Sequence, residues 1–344
     1  MAIITFSAAR LQQQVQFTDR NILRGLQGRL YEVTPTEDEI QQARAALGND
    51  GYIAYLTCDL QNLSQSNRAR EVSAIADELN LPLRVIDGQQ DAYEQMLQVE
   101  RTRINGARAM IICPLNPELF STMETSLVEH PIPLVYSTLM APDYGVKLDL
   151  SNYDVGQQIS RYAGQLLQTE ANGLGSIVLL NAEGFVASEE RLRGIYDGLE
   201  ATVPNANVIG EWEGFTRHTA YESIRALIET GIEFDVILSI SDDATLGAVQ
   251  ALEEAGLTPD DVFIVSVGAE PRIMNYVRQG RFVRGTLNVN SQEGSHLMVY
   301  AIVKLLAGST VPEILTYTPG SLFTGDEITN RDTAQISAEN TANP

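Results

Sequence analysis

From Gly51 onward, short apolar runs alternate with amphipathic stretches, and the alternation runs through twice. In the first pass Tyr52–Thr57, Leu83–Ile86, Ala109–Cys113 and Leu134–Tyr136 read as strands, separated by helices over 67–79, 92–104 and 118–128. In the second, Ser176–Leu180, Asn207–Gly210, Val236–Ile240, Phe263–Val267 and Phe282–Leu287 read as strands. Helices over 188–201, 219–230, 243–255 and 271–279 fall between them, with others over 153–168 and 292–306. Apolar runs of strand length between helix-period stretches mean βαβ units and parallel sheets. At 344 residues the chain is too long for one core. The expected class is α/β, with two doubly wound lobes. Ligands of such sheets bind beyond the carboxyl ends of the strands, so the loops after Thr57, Cys113, Tyr136, Leu180, Ile240 and Val267 matter most.

Residues 1–50 lack this rhythm. The first 34 are polar and Gln/Arg-rich, and we read them as a partly ordered lead-in. Thr36 with Glu39 forms a capping box, which should start a short helix ending near Gly48. A flexible tail is expected over 331–344.

A formal net charge of −22 leaves no electrostatic footprint for DNA or RNA. No apolar run reaches the roughly 18 residues needed to cross a bilayer. The apolar opening Ala2–Phe6 is too short for a signal core and has no basic flank. The chain is therefore either cytoplasmic or an exported protein without its leader. Its three histidines lie far apart, and its two cysteines have no zinc-ligand spacing, so neither a metal nor a cofactor is expected. Cys58 and Cys113 follow strands that are neighbours in the common 2-1-3-4-5 order. Either they form a disulfide or close thiol pair, or they pack as small buried hydrophobes.

Catalytic motifs are missing. Gly173-Leu174-Gly175 precedes a strand instead of linking strand to helix, so it is no dinucleotide fingerprint. Glu189 and Glu190 are adjacent on a helix and cannot flank one bond as acid and base. Enzymatic function is not expected.

Several short motifs, in this order and spacing, carry a resemblance: Ala109-Met-Ile-Ile-Cys-Pro114, Ile132-Pro133-Leu134-Val135, Ser151-Asn152-Tyr153-Asp154-Val155-Gly156, Arg191-Leu-Arg193-Gly194 and Ser241-Asp242-Asp243-Ala-Thr-Leu246-Gly247-Ala248. From about Gly51 to Asp326 the chain resembles the type I periplasmic sugar-binding proteins, the ribose-binding branch shared with the effector domains of LacI-type repressors. The resemblance implies two lobes joined by a three-strand hinge. The first lobe is then about 51–151 plus 288–312, the second 152–287 plus 313–330. It also implies a ligand held between lobes that close around it.

The site residues follow from the same resemblance. Asn62 matches a ligand-contacting amide, or else does helix-initiating loop chemistry with Asp59, Gln61 and Ser64. Arg193 is matched to the binding arginine, with Arg191 as a surface residue. Phe215 matches a ring stacked on the ligand, whereas Trp212 is expected in the core. Ser241 stands where a ligand-binding Asn is common, Asp242 is the expected cap of helix 243–255, and Asn288 matches a ligand-binding amide. Asn152 is expected to cap helix 153–168 and steady the hinge.

Departures from the sugar-binding pattern are as informative. An Asp–Arg pair is replaced by Ser137-Thr138-Leu139, and a second binding Asp corresponds to Gly268, with Glu270 two residues on. Glu270 and Asp59 are the acids that shifted loops would have to supply. A modified sugar or nucleoside-like solute fits such a site as well as a free sugar does. The implied role is a monomeric, extracytoplasmic solute-binding component of an ABC importer, either free or lipid-anchored, whose partners are the ligand and a permease. The alternative is a sensing ectodomain or regulatory module of the same fold feeding a membrane receptor.

Overall fold

The computed structural model describes residues 19–122, 131–139, 141–182, 186–214 and 216–325. Its strands are β1 (Ile22–Gly28), β2 (Tyr52–Leu56), β3 (Leu83–Ile86), β4 (Ala107–Ile112), β5 (Leu134–Tyr136), β6 (Val146–Leu150), β7 (Ser176–Asn181), β8 (Asn207–Glu213), β9 (Val236–Ser239), β10 (Phe263–Val267), β11 (Val283–Leu287), β12 (Val311–Tyr317) and β13 (Leu322–Thr324). The helices are α1 (Leu30–Val33), α2 (Glu37–Leu47), α3 (Leu63–Glu78), α4 (Ala92–Ile104), α5 (Pro117–Ser121), α6 (Asn152–Ala171), α7 (Val186–Thr202), α8 (Arg217–Glu229), α9 (Asp242–Glu254), α10 (Pro271–Gln279) and α11 (Ser291–Leu306).

The strands form two sheets, ordered β1-β12-β6-β5-β4-β2-β3 and β13-β11-β10-β9-β7-β8. In each, the core order is the doubly wound 2-1-3-4-5, and the pairs β2–β4, β4–β5, β7–β9 and β9–β10 are parallel. Packing explains why these strands read as unbroken apolar runs. In the second sheet Ile177, Leu179, Val236 and Leu238 join one core with α6 and α7. Val178, Leu180 and Ile237, alternating with them, join another with α8, α9 and α10. Both faces of a parallel sheet are covered by helices, so successive residues must all be apolar. Trp212 packs against the second of these cores, as expected.

Two compact units result. The first takes the described chain up to Thr57, Val72–Lys147 and His296–Leu315; the second takes Cys58–Glu71, Leu148–Ser295 and the described chain from Thr316 on.

One expectation is corrected at the N-terminus. The stretch read as a lead-in contributes β1, paired in parallel with the edge of the first sheet at β12. Its alternation is hidden by Arg24, Gly25 and Gln27, and four of its seven residues face solvent. The backbone N–H of Gly25 (φ +71°) donates to Glu313 Oε2 at 2.6 Å. The capping box of α2 is present as read: Glu39 N donates to Thr36 Oγ1, and Thr36 N to Glu39 Oε2.

Glu39 does more than cap. Its Oε1 accepts from Lys304 Nζ at 2.8 Å and Ser309 Oγ at 2.6 Å. Burial alone would raise its pKa, but these bonds, the Thr36 N–H and the Lys304 charge bring it down to about 2. A depressed carboxyl contributes stability above its unfolded value of 4.5 and loses it as pH falls toward 2. Glu39→Gln should therefore cost about 1–2 kcal/mol at pH 7. In urea unfolding of both proteins that gap should narrow as pH drops below 4.5; a constant gap would contradict the charge role.

Candidate ligand-binding site

The second unit places a guanidinium beyond its strands. Arg191, on the second turn of α7, donates from Nε to Asn152 Oδ1 at 2.8 Å and from Nη1 to the Ile240 carbonyl at 2.7 Å. Asn152 is itself oriented by donating from Nδ2 to the Leu150 carbonyl at 3.1 Å. The fork is thus fixed by the start of α6 and the end of β9, and Nη2 has no partner among the described residues. Arg191 is only partly exposed. Burial, reinforced by the like charge of Arg68 and opposed by Tyr317, lowers its pKa to about 10, so it stays charged.

Arg193, the expected binding arginine, faces elsewhere. Two residues on a helix differ by about 200°, and its side chain is 69% exposed, 3.5 Å from Glu190. The Arg-Leu-Arg motif contains the inward arginine, but it is the first of the two.

Two expected helix caps are corrected. Ser151, not Asn152, caps α6 by accepting from Asp154 N at 3.4 Å, which leaves Asn152 for Arg191. Ser241, not Asp242, caps α9 by accepting from Ala244 N at 3.2 Å. Asp242 is buried and accepts from Ser266 Oγ (2.5 Å), Thr286 Oγ1 (3.0 Å) and Glu270 N (2.6 Å). Burial pushes its pKa up to about 7 against the pull of those three bonds. Its bonds tie down the loop Gly268-Ala269-Glu270. Gly268 sits at φ +143°, and a Cβ there would lie 2.6 Å from Asp242 Oδ2. No ligand-binding Asp can occupy that position while Asp242 is in place.

The remaining acids cluster around the start of α3. Asp59 is buried and accepts from Gln61 N at 2.8 Å. Asn62 Oδ1 accepts from Gln65 N at 3.1 Å, the cap chemistry weighed against a ligand contact. Asp243 accepts from Leu63 N at 3.0 Å, and burial raises its pKa, with Asp59 adding to the rise. Glu270 accepts from the Asn67 amide; burial again raises its pKa. Glu71 accepts from both Ser291 (2.7 Å) and Ser295 (2.8 Å). Asn288 Oδ1 accepts from Asn290 N at 2.7 Å. Glu270, Asn288, Asn67 and Glu71 line one cavity of about 820 Å³. Asn67, Arg68, Glu71 and Tyr317 were not singled out from sequence, because nothing in a helix or a mixed polar strand marks which polar face is sheltered.

Ser137 and Thr138 lie in the first unit just beyond β5, partly buried, with Ser137 N donating to the Ile112 carbonyl at 2.9 Å. Phe215 lies outside the described residues. Cys58 and Cys113 are joined in a disulfide, so the thiol alternatives do not apply. Gln95, another residue sequence reasoning missed, is buried beside the strand ends. It donates to the carbonyls of Thr57 (3.0 Å) and Cys113 (2.8 Å) and accepts from Leu115 N (3.0 Å).

Comparison with known proteins agrees with this architecture. Residues 68–310 match the family model described as a periplasmic binding protein domain. The galactofuranose-binding protein of Escherichia coli (strain K12) is 25% identical over 304 residues, 83% of this chain and 93% of that protein. The xylitol-binding protein of Mycolicibacterium smegmatis is 28% identical over 230 residues, 65% of this chain and 61% of its own length. The periplasmic component of the arabinose ABC transporter from Shewanella sp. ANA-3, solved with L-arabinofuranose, superposes with a TM-score of 0.73 at 23% identity, covering 85% of this chain and 98% of that one. The Caulobacter myo-inositol-binding protein gives 0.73 at 20%, covering 82% and 96%. At those identities the two structures speak for the fold.

Proposed function

The chain belongs to the periplasmic binding proteins, and on that premise we propose that it is the extracytoplasmic solute-binding component of an ABC importer. It captures a small polyhydroxylated ligand by hinge closure of its two lobes and, as a monomer, presents the closed form to a permease. The observation that carries this reading is Arg191, a fixed fork with an unspent edge beyond the strand ends, in a chain whose relatives are named for binding galactofuranose and xylitol. Guanidinium edges suit sugar oxygens because they donate at fixed geometry and stay charged. The disulfide supports an oxidising compartment outside the cytosol.

Thermal unfolding with furanose sugars, pyranose sugars, polyols and nucleosides tests the proposal. A ligand at a hundred times its Kd stabilises by about 2.7 kcal/mol. A ligand of the right class at millimolar concentration should therefore raise Tm by several degrees. No shift from any class would count against the reading.

A further inference from the structure

Strands β2 and β4 are neighbours, paired in parallel up to Leu56 and Ile112. Just past that pair, the Cys113 N–H donates to the Leu56 carbonyl at 2.9 Å. The next carbonyls, those of Thr57 and Cys113, lie one residue beyond the two strand ends. Both are served by one side chain from the first turn of α4. Gln95 Nε2 donates to Thr57 O at 3.0 Å and to Cys113 O at 2.8 Å, while Oε1 accepts from Leu115 N at 3.0 Å. A primary amide has two N–H donors, and neighbouring strands lie about 4.8 Å apart, so one nitrogen reaches a carbonyl on each. Gln95 and Thr57 are fully buried, and a buried carbonyl that loses its donor is costly.

The same bonds fix the only two cysteines of the chain. Cys58 follows Thr57 directly, and Cys113 carries the second carbonyl. A disulfide needs its Cα atoms about 4.4–6.8 Å apart, close to the spacing of neighbouring strands. We propose that Gln95 is the positioning residue of the Cys58–Cys113 disulfide, holding the two strand ends in bonding register so that the bridge closes on a chain already folded. The bridge then locks the turn that leads through Asp59 to Asn62 and into α3, a turn that Gln95 has set first. Closure by glutathione disulfide balances as follows. One cysteine thiolate attacks the oxidant, expels a glutathione thiolate and leaves a mixed disulfide. The second cysteine thiolate attacks the protein-side sulfur and expels the other glutathione. Two protein thiols are oxidised, one glutathione disulfide is reduced, and the two thiol protons end on glutathione or in solvent. Register governs the second step, because two groups held in place react as one molecule instead of searching for each other.

Native reoxidation of the full chain tests the proposal. Protein reduced without denaturant is mixed with glutathione disulfide and quenched with acid at intervals. Mass spectrometry then counts the reduced, mixed-disulfide and closed forms. In wild type the mixed disulfide should not accumulate. In Gln95→Met, shown to be folded by its unfolding transition, ring closure should slow tenfold or more and the mixed disulfide should build up. Gln98→Met is the control on the same helix. It removes an amide bond to the Asp87 carbonyl (3.1 Å), which adjoins neither cysteine, and should close at the wild-type rate even where its Tm falls. Gln95→Asn keeps a buried amide but is one methylene too short to reach both strand ends. It should be slowed as Gln95→Met is, and it serves if the methionine variant does not fold. Wild-type closure rates in both Gln95 variants would overturn the proposal, as would equal slowing in Gln98→Met or a mixed disulfide that accumulates in wild type. If neither Gln95 variant folds with the bridge intact, the residue supports the fold itself and the positioning role fails.

Discussion

Gly194→Ala should unfold the second unit or cost it more than about 4 kcal/mol, a loss reserved for changes that no side-chain movement can relieve. A Cβ at Gly194 would lie 2.0 Å from the Tyr153 carbonyl oxygen and 2.9 Å from Gln157 N. Gly156 faces back in the same way, with Arg191 O at 1.9 Å from its added carbon. These are backbone atoms, so α6 and α7 must separate if either glycine gains a methyl group. Separation also pulls Asn152 from Arg191, because the 2.8 Å bond between them spans the same pair of helices. Ligand binding should therefore vanish together with stability. The contrast is Gly231→Ser, where the added carbon meets nothing within 4 Å among the described residues and the cost should be confined to the strain of its φ of +76°. Calorimetry of the three proteins decides it: a Gly194→Ala transition within a degree or two of wild type would show that the helices adjust.

The same helix pair shows what a sequence does and does not disclose. The interior strands β5 and β10 end where their apolar runs end, since covering both faces leaves little place for polar residues. The edge and crossing strands were hidden. β1 carries Arg24 and Gln27, β6 carries Lys147 and Asp149, and β12 carries Pro312 and Glu313, so none has the plain apolar run or alternation that marks a strand. Helix α6 was legible, but its cap was ambiguous because Ser151 and Asn152 are both good caps and differ by one residue.

The inward-facing arginine was harder still. Arg191 and Arg193 lie on opposite faces of α7, and the choice between them depends on which face meets α6. That face is marked by Gly194, which backs onto Tyr153, and by Gly198, whose Cβ would come within 2.0 Å of Ser160 Oγ. A glycine pair four residues apart is a visible signal of close helix packing. It does not by itself tell that Arg191, one turn before, reaches past the contact to Asn152. That bond depends on where the second helix begins, and a tertiary coincidence of this kind is not written in local pattern. The resemblance matches Gly268 to an acid of the sugar-binding pattern. The physical reason that no acid stands there appears only with Asp242, which occupies the space from another strand-to-helix junction.

Asp242 should set much of the chain's pH dependence between about 5 and 8, with a sign opposite to that of Glu39. Burial raises its pKa from 3.8 to about 7 in the folded protein, so the folded state binds more protons than the unfolded state between those values. Stability then falls as pH rises through that window. Asp149, Asp243 and Glu270 are also raised and act in the same direction, so wild type alone cannot isolate one group. Comparison with Asp242→Asn can. The amide cannot ionise, and Ser266 and Thr286 can rotate their hydroxyls to accept from it, so its stability curve should be flatter than wild type across pH 5–8. Asp242→Ala differs in kind: it leaves both hydroxyls and the Glu270 N–H buried without their acceptor, and should cost roughly 3–5 kcal/mol. It should also weaken ligand binding, because the Glu270 N–H bond to Asp242 and the Ala269 N–H bond to Thr286 Oγ1 (3.0 Å) together hold the loop that lines the cavity with Asn288. Urea unfolding of the three proteins at several pH values separates the effects. Parallel curves for wild type and Asp242→Asn would mean that Asp242 keeps its charge throughout, with its three donors outweighing its burial.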